Sequence, residues 1–188
     1  MIDNFAFKKN QQLIKKDKSL KNSIDEKIKT LCNKINSKEN YYTTSSCSGR
    51  ILLLFDSKLK RNDLFIKVWH DLINFKELKK ELNKINSKKL VYFKQDPVIL
   101  HASCKTLKDA QNLIDFAIKK AGWKRCGIIN LRKRIVVELN STEKLEFPIM
   151  NKRRILVNDV FLKFIVKKAN KKLRSSWEKI KKLAKLVG

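Results

Sequence analysis

A chain of 188 residues with 43% hydrophobic content is long enough for one sizeable core and short for two, so a single domain over 1–188 with a C-terminal appendage is expected. No apolar run approaches the roughly 20 residues of a membrane span, and the first ten residues lack a signal peptide's apolar centre, which sets aside membrane and exported classes and points to the cytoplasm. Forty-five Lys and Arg against 18 Asp and Glu leave a formal charge of +27, and such an excess calls for a polyanionic partner, nucleic acid first, with an AT-rich genome or a hot habitat as the plain alternative.

In chain order, Phe5, Phe7, Leu13 and Ile14 among lysines predict a helix or arm up to about residue 18. Ile24, Ile28, Leu31 and Ile35 recur at helical spacing, and Ser23 with Glu26 reads as a capping box, so a helix is predicted over about 24–37. Tyr41 to Thr44 and Ile51 to Phe55 are strand-forming and flank a polar turn. A strand over 64–69 follows, then a helix marked by Phe75, Leu78, Leu82 and Ile85. Strands over 90–94 and 98–103 flank Gln95, Asp96 and Pro97, whose proline predicts the turn of a hairpin. Leu107, Ala110, Leu113, Ile114 and Ala117 share one helical face over 106–121, and Gly122 supplies a stop. Strands are predicted over 126–130, 135–139 and 145–150, with 153–157 a candidate for another. A last, basic helix, over about 158–187, takes Asp159 as its cap and Phe161, Phe164, Ile165, Ala169 and Leu173 as its apolar face. Repeated β-β-α groupings predict an α+β fold with a largely antiparallel or mixed sheet covered by helices.

Cys32, Cys47, Cys104 and Cys126 are widely spaced and lack a neighbouring His, which argues against a zinc site, and no metal is expected. Only four glycines are present, Gly49, Gly122, Gly127 and Gly188, so neither a dinucleotide-binding Gly-x-Gly-x-x-Gly turn nor a Walker loop exists, and a Rossmann methyltransferase fold is not expected. The informative segment is 41–51, where Ser45, Ser46, Cys47, Ser48, Gly49 and Arg50 interrupt two strands. Such a turn presents hydroxyls and backbone N–H groups to a carboxylate, phosphate or ribose, with Arg50 as a forked cation, or else it is an ordinary Ser-rich hairpin.

Thr-Thr-Ser-Ser-Cys-Ser-Gly-Arg-Ile at 43–51 closely resembles the signature of the tRNA wybutosine-synthesising methyltransferase family, in its archaeal-like form. The likeness extends to 17–21 with Ile24 and Asp25, where Asn22 replaces a usual glycine, and to the Pro-Val-Ile-Leu-His block within 93–105, where Lys105 replaces the commoner arginine. Ala-Gly-Trp at 121–123, Cys-Gly-Ile at 126–128, Leu-Glu-Phe-Pro at 145–148 and Ala-Asn-Lys-Lys at 169–172 continue it in order. The resemblance implies an S-adenosyl-L-methionine-dependent enzyme that methylates the N-4 nitrogen of a demethylated wyosine-type, 7-aminocarboxypropyl guanosine derivative 3′ of the anticodon in tRNA(Phe). It also implies that Ser45, Ser46, Cys47, Ser48, Gly49 and Arg50 bind the cofactor.

Methyl transfer to an N–H nitrogen releases a proton, and His101, polar within an apolar strand, stands as its acceptor or as a group that orients the site. His70, Asp25 and Lys21 are further binding candidates, although His70 follows Trp69 where the family has Ser or Thr, and Asp25 in a first helical turn also suits the helix dipole. Residues 152–188 hold thirteen Lys and Arg against Asp159 and Glu178, and Arg153, Arg154, Lys167, Lys168, Lys171, Lys172 and Arg174 are the expected contacts to the tRNA anticodon arm. Trp123 and Trp177 are either base-stacking groups or core. A noncatalytic basic RNA-binding module would explain the charge but not the polar turn.

Overall fold

The computed structural model describes residues 4–15, 23–57 and 64–187. The candidate Lys21, with the rest of 17–21, lies outside them. The elements are α1 (Asn4–Ile14), α2 (Glu26–Ser37), β1 (Tyr41–Cys47), β2 (Arg50–Phe55), β3 (Phe65–Trp69), α3 (Phe75–Asn83), β4 (Val91–Asp96), β5 (Ile99–Cys104), α4 (Leu107–Asp115), β6 (Arg125–Asn130), β7 (Ile135–Asn140), β8 (Leu145–Asn151), β9 (Arg154–Ile155) and α5 (Asp159–Leu186). The chain divides into two compact units, one of 1–48, 98–142 and 176–188, the other of 49–97 and 143–175. Each carries one sheet, in the orders β1-β5-β7-β6 and β3-β2-β4-β8-β9, and every observed strand pair is antiparallel. The α+β fold read from the sequence is therefore present, with its strands shared between two sheets. No helix of the described residues is long and apolar enough to cross a membrane.

In the first unit, one face of the sheet carries Leu100, Ala102, Val137 and Leu139 into a core with Ile28, Leu31 and Ile35 of α2, Ala110 and Leu113 of α4, and Ile180 and Leu183 of α5. This is the apolar spacing of the sequence converted into burial. Thr106 and Asp109 cap α4 reciprocally, and a π-helical turn over Phe116–Lys120 ends it, where Gly122 at φ 77° lets the Trp123 N–H reach Ala117 O at 2.9 Å. Trp123 is core, fully buried, and its indole N–H donates to Lys179 O at 3.2 Å. The predicted Ser23–Glu26 capping box is absent. The first turn of α2 begins at Glu26, and Asp25, at the cap position, makes no side-chain capping bond because its carboxylate accepts from Ser48 instead.

In the second unit, Ile51, Leu52 and Leu53 of β2 are buried in succession, as befits a strand between two neighbours and covered on both faces. Asn74 and Glu77 form the capping box of α3. Asn158, one residue before the predicted cap, receives the Phe161 N–H at 2.9 Å and opens α5. That helix buries Leu162, Ile165, Val166, Ala169 and Leu173, whereas Phe161 and Phe164, predicted on the buried face, are 38% and 52% exposed. The i, i+3, i+4 series starting at Leu162 is continuous, and the two phenylalanines sit on its margin, Phe161 edge-on to Phe147 at 5.6 Å.

The predicted hairpin across Pro97 does not form. β4 pairs with β2 and β8, while β5 pairs with β1 and β7. Proline has no N–H to continue a ladder, and the chain passes from one unit to the other at this point. The polar turn after β1 behaves in the same way, since β1 and β2 also belong to different sheets.

Candidate functional site

Cross-strand register assembles the site. Ser45 of β1 lies opposite His101 of β5, His101 opposite Glu138 of β7, and Glu138 opposite Gly127 of β6. Residues directly opposed across antiparallel strands share a face, so these four form one row across the sheet, on the side away from the α2 and α4 core. The neighbouring row, Tyr42, Ser103 and Val136, is buried, with Phe5 of α1 against the Tyr42 ring at 5.1 Å. In the His101 row, by contrast, Ser45 is exposed and His101, Glu138 and Gly127 are half-buried.

His101 Nε2 and Glu138 Oε2 are 2.8 Å apart, and Ser45 Oγ and His101 Nδ1 are 2.9 Å apart. An ionised carboxylate only accepts, so the ring proton of neutral His101 sits on Nε2, which donates to Glu138. Nδ1 then carries a lone pair and accepts the Ser45 hydroxyl. The result is a directed chain from Ser45 through His101 to Glu138.

A second device fixes the polar segment. Asp25 is 7% exposed, and its Oδ2 accepts both the backbone N–H of Ser48, at 3.0 Å, and the Ser48 hydroxyl, at 3.1 Å. Gly49 follows at φ 92°, where an added Cβ would stand 3.0 Å from Leu173 Cδ1 and 3.1 Å from Asp96 O, so both conformation and space demand glycine. Arg50 lies opposite Asp96 in the β2–β4 ladder, donates from Nε to Asp96 Oδ2 at 3.1 Å, and rests its guanidinium 5.2 Å from the centre of the Phe65 ring. Its two Nη groups make no hydrogen bond among the described residues, which leaves the fork's outer edge open to an anion.

Burial disfavours the thiolate at three of the four cysteines. Burial pushes Cys32 up to about 11, with the Ser46 hydroxyl opposing it, and burial beside Asp109 pushes Cys104 up to about 12. Burial also raises Cys126, and Cys47 is half-buried. Ser46, paired with Leu100, faces the core. His70 is half-buried just after β3, in the unit that also holds Arg50, whereas Asp25, Ser45, Ser46, Cys47, Ser48 and His101 all belong to the other unit. Among the described residues no group of three or more His, Cys, Asp or Glu could hold a metal ion.

The basic candidates Arg153, Arg154, Lys167, Lys168, Lys171 and Arg174 are exposed, and Lys172 is half-buried. Lys152 and Arg153 form the β8–β9 turn with φ 47° and 65°, a left-handed pair that Asn and Gly ordinarily fill. Trp177 is half-buried with Lys27 Nζ 4.8 Å from its ring centre. Sequence reasoning missed Glu138 and Asp96. Glu138 lies in a predicted strand and Asp96 in the predicted turn at 95–97, and the partner of each is set by cross-strand register, for which the local sequence carries no signal.

Residues 6–187 match the family model Methyltransferase TYW3. A Thermococcus sibiricus relative, named tRNA(Phe) 7-((3-amino-3-carboxypropyl)-4-demethylwyosine(37)-N(4))-methyltransferase, is 38% identical over 189 residues, covering 95% of this chain and 95% of the relative. The tRNA wybutosine-synthesizing protein 3 homolog of Danio rerio is 36% identical over 98% of this chain and 75% of its own. The solved structure of the PH1069 protein from Pyrococcus horikoshii superposes with a TM-score of 0.87 at 34% identity, covering 97% of this chain and 93% of that one. The matched family and relatives are methyltransferases, and the antiparallel sheets without a glycine-rich cofactor turn set this one outside the Rossmann plan. The chain belongs to the TYW3 methyltransferase family.

Proposed function

We propose that this chain transfers a methyl group from S-adenosyl-L-methionine to the N-4 nitrogen of 7-(3-amino-3-carboxypropyl)-4-demethylwyosine at position 37 of tRNA(Phe), 3′ of the anticodon, the reaction for which its Thermococcus relative is named. The observation that carries this reading is the match at 38% identity over 95% of both chains. A cytoplasmic location is consistent with a tRNA substrate.

The donor set of 45–50 suits the cofactor. Its methionine end carries a carboxylate and an ammonium and its ribose two hydroxyls; the small hydroxyls of 45–48, on a backbone held by Asp25, suit the ribose, and the Arg50 fork suits the carboxylate. S-adenosyl-L-methionine supplies an electrophilic methyl group on a sulfonium sulfur. Ser45 and His101 serve the proton that leaves N-4. The Ser45 oxygen accepts it while the Ser45 hydroxyl proton passes to His101 Nδ1, and Glu138 stabilises the imidazolium that results. Asp25 acts at a distance, holding Ser48 and so the course of the chain. Arg153, Arg154, Lys167, Lys168, Lys171, Lys172 and Arg174 bind phosphates of the anticodon arm, which exposure and charge support. His70 remains a binding candidate on its half-exposed position alone.

The test is transfer of labelled methyl from S-adenosyl-L-methionine by purified protein to two tRNA(Phe) samples, one bearing the demethylated base and one already methylated. Label in the first alone is the expected result. Label in neither, together with tight tRNA binding, identifies a basic RNA-binding module instead.

A further inference from the structure

The His101 row ends in an unfilled position. Gly127 lies opposite Glu138 on the edge strand β6, and an added Cβ would meet nothing within 4 Å. Its φ lies outside the left-handed region, so no turn demands glycine there. Glycine inside a strand weakens it and marks room for something to approach the backbone.

Arg125 stands two residues earlier on the same face, is exposed, and its guanidinium makes no ion pair or hydrogen bond among the described residues. Asn140, directly across from Arg125, keeps its side-chain oxygen buried without a hydrogen-bond partner. Diagonal neighbours in an antiparallel pair are about 7–8 Å apart. Glu138 and Arg125 therefore frame the space over Gly127 with a carboxylate and a guanidinium. Glu138 commits Oε2 to His101, and its Oε1 has no hydrogen bond among the described residues.

A backbone phosphate would meet Arg125 favourably and Glu138 unfavourably. A group bearing ammonium and carboxylate on one carbon satisfies both. We propose that the open position at Gly127 is the specificity site for the α-amino acid arm of the target base, with Arg125 taking its carboxylate and Glu138, through Oε1, its ammonium. The proposal rests on the methyl-transfer reading above, because it is the Thermococcus relative's name that gives the base a 3-amino-3-carboxypropyl arm.

The experiment compares kcat/KM on two tRNA(Phe) substrates, one bearing the demethylated base with the arm and one bearing 4-demethylwyosine without it. The wild-type protein favours the first. Arg125→Ala lowers that selectivity ratio about tenfold or more, the scale of one charge-assisted contact, and Gly127→Val, which fills the open position with a strand-favouring side chain, lowers it through KM. A ratio unchanged within about twofold in both variants overturns the proposal, since a phosphate-binding Arg125 would weaken both substrates alike. Equal methylation of both tRNAs by the wild type overturns the specificity site alone. Methylation of neither overturns the underlying reading of the function, and this proposal with it.

Discussion

His101 is exposed on one side and held on the other two, by Ser45 and Glu138, so its substitution separates chemistry from folding. His101→Ala is expected to lower kcat about a hundredfold, the lower range for loss of a positioned acid-base group, with KM for tRNA changing less than about threefold in the same steady-state assay. Asp25→Ala leaves two Ser48 donors without their acceptor and is expected to cost about 1–3 kcal/mol in urea unfolding, together with methylation rate. The buried thiols give a pH dependence. Cys32 keeps its proton to about 11 in the folded chain but releases it near its ordinary 9.0 when unfolded, so the unfolded state binds fewer protons between those values and stability falls as pH rises through them. A melting temperature that declines from pH 9 to 11, and declines less steeply in Cys32→Ala, is the expected result. Ser45 and His101 were legible as polar intrusions in strand-forming runs. Glu138 and Asp96 were not, because a cross-strand partner is chosen by register, which Ile-Val-Val-Glu-Leu-Asn at 135–140 does not encode locally.

The β8–β9 turn and α5 carry predictions of their own. Lys152 and Arg153 both adopt left-handed backbone, at about 1 kcal/mol or more each for residues with a Cβ. Arg153→Gly is expected to raise stability by about 1 kcal/mol in chemical denaturation while weakening tRNA binding, the pattern of a turn in which function has displaced the favoured residue. α5, at 28 residues, extends about 40 Å. If its exposed cations lie along the anticodon arm, Lys167→Gln, Lys168→Gln and Lys171→Gln combined should reduce the slope of log affinity against log salt by up to about three. A slope unchanged in filter-binding titrations places the RNA elsewhere. Helix spacing was readable because α2, α4 and α5 show their periodicity locally, and even there Phe161 and Phe164 misled, being apolar residues at the margin of a stripe that Leu162 and Ile165 define. The strand pairs across 48–49 and across Pro97 were misread for a different reason. Two adjacent strands joined by a short turn favour a hairpin statistically, and only the competition of β1 and β2 for different partners settles otherwise.

On the scale of the whole molecule, charge dominates expectation and connectivity dominates architecture. A formal +27 predicts that polyanions such as heparin compete with tRNA and that competition fades as salt rises, a comparison available from one titration series. What composition could not convey is how often the chain changes unit, which it does four times, after residues 48, 97, 142 and 175. The last passage brings Ile180, Leu183 and Val187 into a core whose other members begin at Ile28. During synthesis, α2 must wait for the last turns of α5, with residues 38–175 laid down between them, and no earlier length of nascent polypeptide completes the core of the first unit. A ribosome-bound chain arrested with 176–187 still inside the exit tunnel should therefore be cut readily by protease within α2. Release of those final turns is the event that closes the first unit, and a chaperone able to shield Leu31, Leu100 and Leu139 until then would raise the yield of folded protein.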